Sequence, residues 1–159
     1  MNMEFEKALI SVQKKRPLVQ CITNFVTVND CANILLASGG RPTMASHPLE
    51  AAEAVRNVRA LVCNLGAIDK VDSMILAGKR ANELGIPVVL DPVAAGGTAL
   101  RRQLSSKLLD EVHFSSIRGN ASEIRALAGQ MSRGSGVDVT AWDAITRENL
   151  PQSVDLISD

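Results

Sequence analysis

Five short strand-like segments in this 159-residue chain end in polar or polarisable residues: Thr23-Asn24, Met44, Asn64-Leu65-Gly66, Asp91-Pro92 and Arg118-Gly119-Asn120. Glu123 follows three positions after the last. Amides, a carboxylate, a guanidinium and a thioether drawn from separate segments suit a small polar ligand better than they suit packing. Arg118 offers a planar fork for a phosphate oxygen. Asn120 and Glu123 admit two readings. Asn with Glu three residues on is a capping-box variant, a purely structural device. Alternatively, the helix N-terminus attracts phosphate while Glu123 orders a Mg²⁺-bound water. Asp91 is either a turn or capping residue, or a carboxylate at the mouth of a crevice placed for hydrated Mg²⁺. Gly96-Gly97-Thr98 fits a phosphate nest and fits a turn with an N-cap equally well. Met44 is a core filler or a ligand contact. Neither G-x-x-x-x-G-K nor G-x-G-x-x-G occurs, so P-loop and dinucleotide fingerprints do not apply.

The elements that must position these residues are legible as alternation. Phe5, Ala8, Leu9 and Val12 recur at helical spacing and predict an amphipathic helix ending before Pro17. Residues 18–23 read as a buried strand, and Thr27 as the N-cap of a helix that stops at Gly39-Gly40. An extended piece over 42–45 and a helix over 49–57 follow. Residues 60–65 and 87–90 read as strands, separated by a helix whose inner face carries Val71, Met74, Ile75 and Gly78 and whose C-cap is Gly85. Leu100, Leu104 and Leu108 predict a helix capped by Thr98; a strand over 112–117 and a helix over 120–128 come next. A polar loop over 130–136 and a helix around Trp142, Ile145 and Leu150 complete the reading. Strands alternating with helices imply βαβ units, a mostly parallel sheet with helices on both faces, and one α/β domain over 1–159. In such a sheet, ligands bind outside the carboxyl ends of the strands, where the polar residues fall.

Composition narrows the chemistry. Lys+Arg and Asp+Glu balance at 17 each, which argues against a polyanion-binding surface. Aromatics make up 3% with no Tyr, so stacking platforms for nucleic acid are not expected. Cys21, Cys31 and Cys63 lack metal-ligand spacing and read as reduced, buried thiols. His47 and His113 have no acidic or histidine partner at useful spacing and receive no role. No apolar run approaches the ~20 residues of a membrane span, and the expectation is a soluble cytoplasmic domain.

The order and spacing of several motifs resemble those of the hydroxyethylthiazole kinase family. They are Gln20-Cys21-Ile22-Thr23-Asn24-Phe25-Val26-Thr27 with Asn29-Asp30-Cys31-Ala32-Asn33, then Pro42-Thr43-Met44-Ala45, Asn64-Leu65-Gly66, Val89-Leu90-Asp91-Pro92-Val93, and Ile117-Arg118-Gly119-Asn120 with Glu123-Ile124. The likeness runs from about residue 4 to about residue 139. It implies a ribokinase-like α/β fold, ATP as cosubstrate, Mg²⁺ as cofactor, and phosphorylation of the hydroxyethyl group of a methylthiazole in thiamine salvage. It also implies a homotrimer with active sites at subunit interfaces. By position, Asn24 and Met44 then belong to the thiazole pocket, with Val26 and Gly66 as neighbours. Arg118 and Asn120 belong to the ATP side, and Asp91 and Glu123 to the metal.

Two departures accompany the resemblance. The family usually has Gly after Asp-Pro-Val, where this chain has Ala94-Ala95 before Gly96-Gly97. The family's second half, with its Gly-Thr-Gly-Cys-type anion hole and presumed catalytic base, has no counterpart in these residues. No catalytic residue is therefore expected in the chain, and these 159 residues alone are expected to be inactive. The alternatives are another ribokinase-like kinase, acting on hydroxymethylpyrimidine or pyridoxal, and a non-catalytic remnant that binds ligand or a partner subunit.

Overall fold

The computed structural model describes residues 3–128. Helices and strands alternate throughout: α1 Met3–Lys15, β1 Leu18–Ile22, α2 Val28–Ala37, β2 Arg41–Thr43, α3 Ala51–Ala54, β3 Ala60–Asn64, α4 Val71–Glu83, β4 Val88–Asp91, α5 Ala99–Glu111, β5 Ser116–Ile117 and α6 Ala121–Leu127. One 3₁₀ turn, Val55–Asn57, extends α3, and another, Ile68–Lys70, leads into α4. The expected loop over 130–136 and the helix around Trp142, Ile145 and Leu150 lie outside the described residues.

All five strands are parallel, in the order β2-β1-β3-β4-β5. From β1 the chain steps outward to β2, then crosses back to β3 on the other side. The order therefore reverses between β1 and β3, and such a reversal opens a crevice at the carboxyl ends of the two strands.

The core lies on one face of the sheet. Ile22, Leu61, Cys63, Val88 and Leu90 pack there with Val71, Met74, Ala77 and Ala81 of α4 and Leu108 of α5. α3 lies against α4, and α4 against α5, as one helical layer. Burial alternates accordingly: Leu61 and Cys63 of β3 are buried while Ala60, Val62 and Asn64 are half-buried. A right-handed β1–α2–β2 connection runs the other way across the sheet and puts α2 on the opposite face. That face is covered less completely, since neither α1 nor α2 buries a residue.

Gly85 ends α4 at φ +66, the left-handed turn that Gly makes at low cost. Four local expectations change. Thr27 precedes α2 but its side chain caps nothing there. Leu100 is 51% exposed, so α5 buries only the later part of the expected apolar row. Cys31 is half-buried rather than buried. The strand expected over 112–117 pairs only at Ser116–Ile117. Val112 instead closes α5 and packs on Gly78, where a Cβ would come within 2.6 Å of its Cγ1. The Asn82 amide then occupies the backbone of His113, accepting from its N–H at 2.8 Å and donating to its carbonyl at 2.8 Å.

Candidate functional site

The carboxyl end of β1 turns on Asn24. Its Oδ1 accepts from the Val26 N–H at 2.9 Å, the Thr27 N–H at 3.0 Å and the Thr27 hydroxyl at 3.2 Å. A hydroxyl has one proton, so the 2.9 Å contact between the Thr23 and Thr27 hydroxyls must be donated by Thr23. Three donors on one oxygen fix the amide's orientation and direct Nδ2 away from the turn. That NH₂ has no hydrogen-bond partner among the described residues. Val26 and Phe25, at the tip of the turn, are exposed.

Across the strand reversal, Asn64 ends β3 and its Oδ1 accepts from the Gly66 N–H at 2.7 Å. Gly66 sits between the two amides: a Cβ there would stand 2.7 Å from Asn24 Nδ2 and 2.7 Å from Asn64 Oδ1. The missing side chain thus lets the β1 and β3 turns approach each other. Met44, half-buried, follows β2 on the same rim.

Asp91 pairs in register with Asn64, one strand further along. Its side chain is 28% exposed and meets Arg118 Nη1 at 4.0 Å, while Arg118 itself is 85% exposed. Partial burial raises the Asp91 pKa, the Glu123 charge raises it further, and Arg118 opposes both. Glu123 is 7% exposed. It completes a capping box at the start of α6: Glu123 Oε2 accepts from the Asn120 N–H at 2.8 Å, and Asn120 Oδ1 accepts from the Glu123 N–H at 3.0 Å. Its second oxygen accepts from the Ala94 N–H at 3.1 Å, which ties α6 to the turn after β4. Gly119 leaves room for this carboxylate, since a Cβ there would sit 3.0 Å from Oε2. Ala94 holds φ +53, a conformation costing an alanine about 1–2 kcal/mol.

The structure therefore brings Asn24, Met44, Gly66, Asp91, Arg118, Asn120 and Glu123 to one edge of the sheet, with Val26 at its outer lip. The histidines are elsewhere: His47 Nδ1 accepts from the Leu49 N–H in a turn, and His113 is held by Asn82. Burial pushes the Cys21 thiol up to about 11 and the Cys63 thiol up to about 12, so both stay protonated packing groups. Two cavities, of about 510 and 220 Å³, lie at the other end of the strands, beside Asn82 and His113.

Two supporting residues escaped the sequence reading. Gln20 is fully buried and donates through Nε2 to the Ala45 carbonyl at 2.8 Å and the Ala51 carbonyl at 3.2 Å, holding the segment that follows Met44. Its signal was a polar residue inside the apolar run of β1. Lys70 Nζ reaches the Thr23 carbonyl at 3.0 Å and links the β1 and β3 turns. Nothing local in the sequence marks it.

Comparison with known proteins places the chain in a family. The hydroxyethylthiazole kinase family model matches residues 9–154. A hydroxyethylthiazole kinase of Desulfovibrio desulfuricans is 49% identical over 148 residues, covering 92% of this chain and 52% of that protein. Another, of Methanocella arvoryzae, is 52% identical over 132 residues, covering 82% and 50%. The solved structure of a hydroxyethylthiazole kinase protein from Pyrococcus horikoshii OT3 superposes with a TM-score of 0.75 at 45% identity, covering 80% of this chain and 51% of that one. The chain spans about half the length of the curated relatives it matches. With the family model matching most of its residues, this chain belongs to the hydroxyethylthiazole kinase family.

Proposed function

We propose that the chain supplies the alcohol-binding side and part of the phosphate side of an ATP-dependent kinase that phosphorylates the hydroxyl of hydroxyethyl-methylthiazole in thiamine salvage. The observation that carries this reading is the rim itself. A side-chain-free position between two amides sits at the strand reversal, and a carboxylate–guanidinium group sits beside it. Asn24 Nδ2 donates to the ring or hydroxyl, Met44 gives the ring apolar contact, and Val26 and Gly66 border the pocket. Arg118 and the amino end of α6 at Asn120 receive phosphate oxygens.

The acidic pair fits Mg²⁺. Asp91 is held partly protonation-prone by burial and by Glu123, a strain that a nearby cation relieves. Mg²⁺ is commonly held by one or two carboxylates plus phosphate oxygens and water. No group of three or more His, Cys, Asp or Glu side chains placed to hold a metal ion exists among the described residues. Asp91 is the direct ligand in this reading. Glu123, with both oxygens already accepting backbone N–H groups, acts through an ordered water. The metal's contribution would be to neutralise charge on the transferring phosphate.

The chain forms a single α/β domain over 1–159 in this reading, and the proton-accepting group belongs to the family's second half. The assembly is a cytoplasmic homotrimer. Support for a partner subunit comes from Phe5, Ile10, Phe25, Val26, Ile34 and Leu36, all exposed on α1, α2 and the turn between β1 and α2. No helix among the described residues is long and apolar enough to cross a membrane.

The test is ATP- and Mg²⁺-dependent phosphorylation by a polypeptide of the relatives' full length that carries this chain. Hydroxyethyl-methylthiazole should be strongly preferred over hydroxymethylpyrimidine and pyridoxal. Preference for either of those alcohols, or ligand binding without turnover, would overturn the assignment.

A further inference from the structure

Arg101 lies in the first turn of α5, where a cation faces the wrong end of the helix dipole, and no acidic side chain shares that turn. Residues that break a local rule in this way are concentrated at functional sites. Its guanidinium folds back over the strand ends instead of extending into solvent. Nη1 donates to the Val93 carbonyl at 2.9 Å and to the Leu65 carbonyl at 3.2 Å, and both bonds are partly buried. Each carbonyl belongs to a residue adjoining a critical amide. After Leu65 comes Gly66, whose N–H is held by Asn64 and whose Cα faces Asn24. After Val93 comes Ala94, whose N–H holds Glu123 Oε1.

We propose that Arg101 is a positioning residue that locks the alcohol side of the rim, at Leu65–Gly66, to the carboxylate side, at Val93–Ala94. It acts through backbone carbonyls rather than by ligand contact. A charge-assisted donor shared between two turns fixes their separation more tightly than neutral bonds do. Phosphoryl transfer is sensitive to displacements on the order of 1 Å between acceptor and phosphate. Lys70 is the natural comparison, because its bond to the Thr23 carbonyl spans only the β1 and β3 turns and leaves the carboxylate side alone. The proposal rests on the kinase reading above, so its test includes a measurement that needs no substrate.

That measurement is amide hydrogen exchange at Gly66 and Ala94 in the whole polypeptide, with the strand amide of Leu61 as internal reference. Arg101→Met should speed exchange at both sites by about tenfold or more, as loss of a charged hydrogen bond allows, and leave Leu61 unchanged. Arg101→Lys should restore part of the protection. In the kinase assay, Arg101→Met should raise both the thiazole KM and the half-saturating Mg²⁺ concentration. Lys70→Met should raise the thiazole KM alone. Unchanged exchange at Gly66 and Ala94 overturns the proposal. So does an equal rise at Leu61, which would make Arg101 a general stabiliser, or faster exchange with unaltered KM and Mg²⁺ dependence. If the parent enzyme does not phosphorylate the thiazole, the kinase reading fails, while the exchange data still decide whether Arg101 couples the two turns.

Discussion

Replacing Gly66 by alanine tests the geometry of the strand reversal most directly. The new Cβ would lie 2.7 Å from Asn24 Nδ2 and 2.7 Å from Asn64 Oδ1, well inside the 3.4 Å at which ordinary contact begins. Neither neighbour yields freely. Asn64 Oδ1 is bonded to the N–H of Gly66 itself, and Asn24 cannot rotate without releasing three hydrogen bonds. Overpacking of this kind costs about 1–3 kcal/mol, and each released bond about 0.5–1.5 kcal/mol. A loss of about 2 kcal/mol corresponds to a Tm lower by roughly 4–8 °C in a protein of roughly 150–250 residues. Thermal unfolding of Gly66→Ala, Asn24→Ala and the double variant should then be non-additive. Once Asn24 is shortened, one of the two opposing groups is gone, and a coupling of at least about 0.5 kcal/mol is expected. In the kinase assay the thiazole KM should rise while the ATP KM changes little. An unaltered Tm and thiazole KM for Gly66→Ala, or strict additivity in the cycle, would refute the close approach on which the proposed alcohol site is built.

Met44→Ala should raise the KM for the thiazole by roughly tenfold, as loss of a buried thioether contact allows, with little effect on ATP; an effect confined to ATP would move Met44 out of the pocket. Arg118→Ala and Glu123→Gln should each lower kcat/KM by at least about tenfold, yet differ in stability. Arg118 is 85% exposed and its loss should leave Tm unchanged. Glu123→Gln can keep the Asn120 bond but turns an NH₂ toward the Ala94 N–H, which should cost about 1–3 kcal/mol in unfolding. For Asp91, the raised pKa means that the fold favours the protonated acid. Its contribution to stability is therefore present at low pH and is lost as pH rises from the unfolded pKa through the folded one. Asp91→Asn should raise Tm near neutral pH and converge with the parent in strong acid, as a pH series of melts would show.

The sheet and the polar rim were legible because β1, β3 and β4 are short, mainly apolar runs followed by or ending in a residue that does not belong in a core. Asn24, Asn64 and Asp91 announced themselves in that way. Short-range patterning was less informative where a side chain replaced the backbone. Val112 and Phe114 resemble strand residues, but Asn82 had already taken the backbone of His113, which no local pattern of residues 112–117 discloses. Thr27 has the right identity for a cap. It lost that role because its hydroxyl is engaged in the turn before the helix, donating to Asn24 Oδ1 and meeting the Thr23 hydroxyl. The double duty of Glu123 was half visible. Spacing gave the capping box, but the bond to Ala94 joins residues 29 apart and needed the folded chain. Lys70 and Arg101 were missed for the same reason, since their acceptors are carbonyls, which carry no residue signature.

The order β2-β1-β3-β4-β5 also bears on how the sheet can be made. Among the described residues, the first strand in sequence is neither edge of the sheet but an interior strand. β2 adds to one side of β1, β3 to the other, β4 to β3 and β5 to β4, so every strand pairs with one that already exists. Among the described residues, no strand has to wait for a later partner before its first ladder can close. A nascent chain can therefore lay down this sheet in the order in which it leaves the ribosome, and entropy-costly closures between distant segments are kept few. The crevice between β1 and β3 would take shape early in that sequence, before the carboxylate side exists. On that schedule, the proposed alcohol site is the older part of each newly made molecule and the proposed phosphate site is fitted to it.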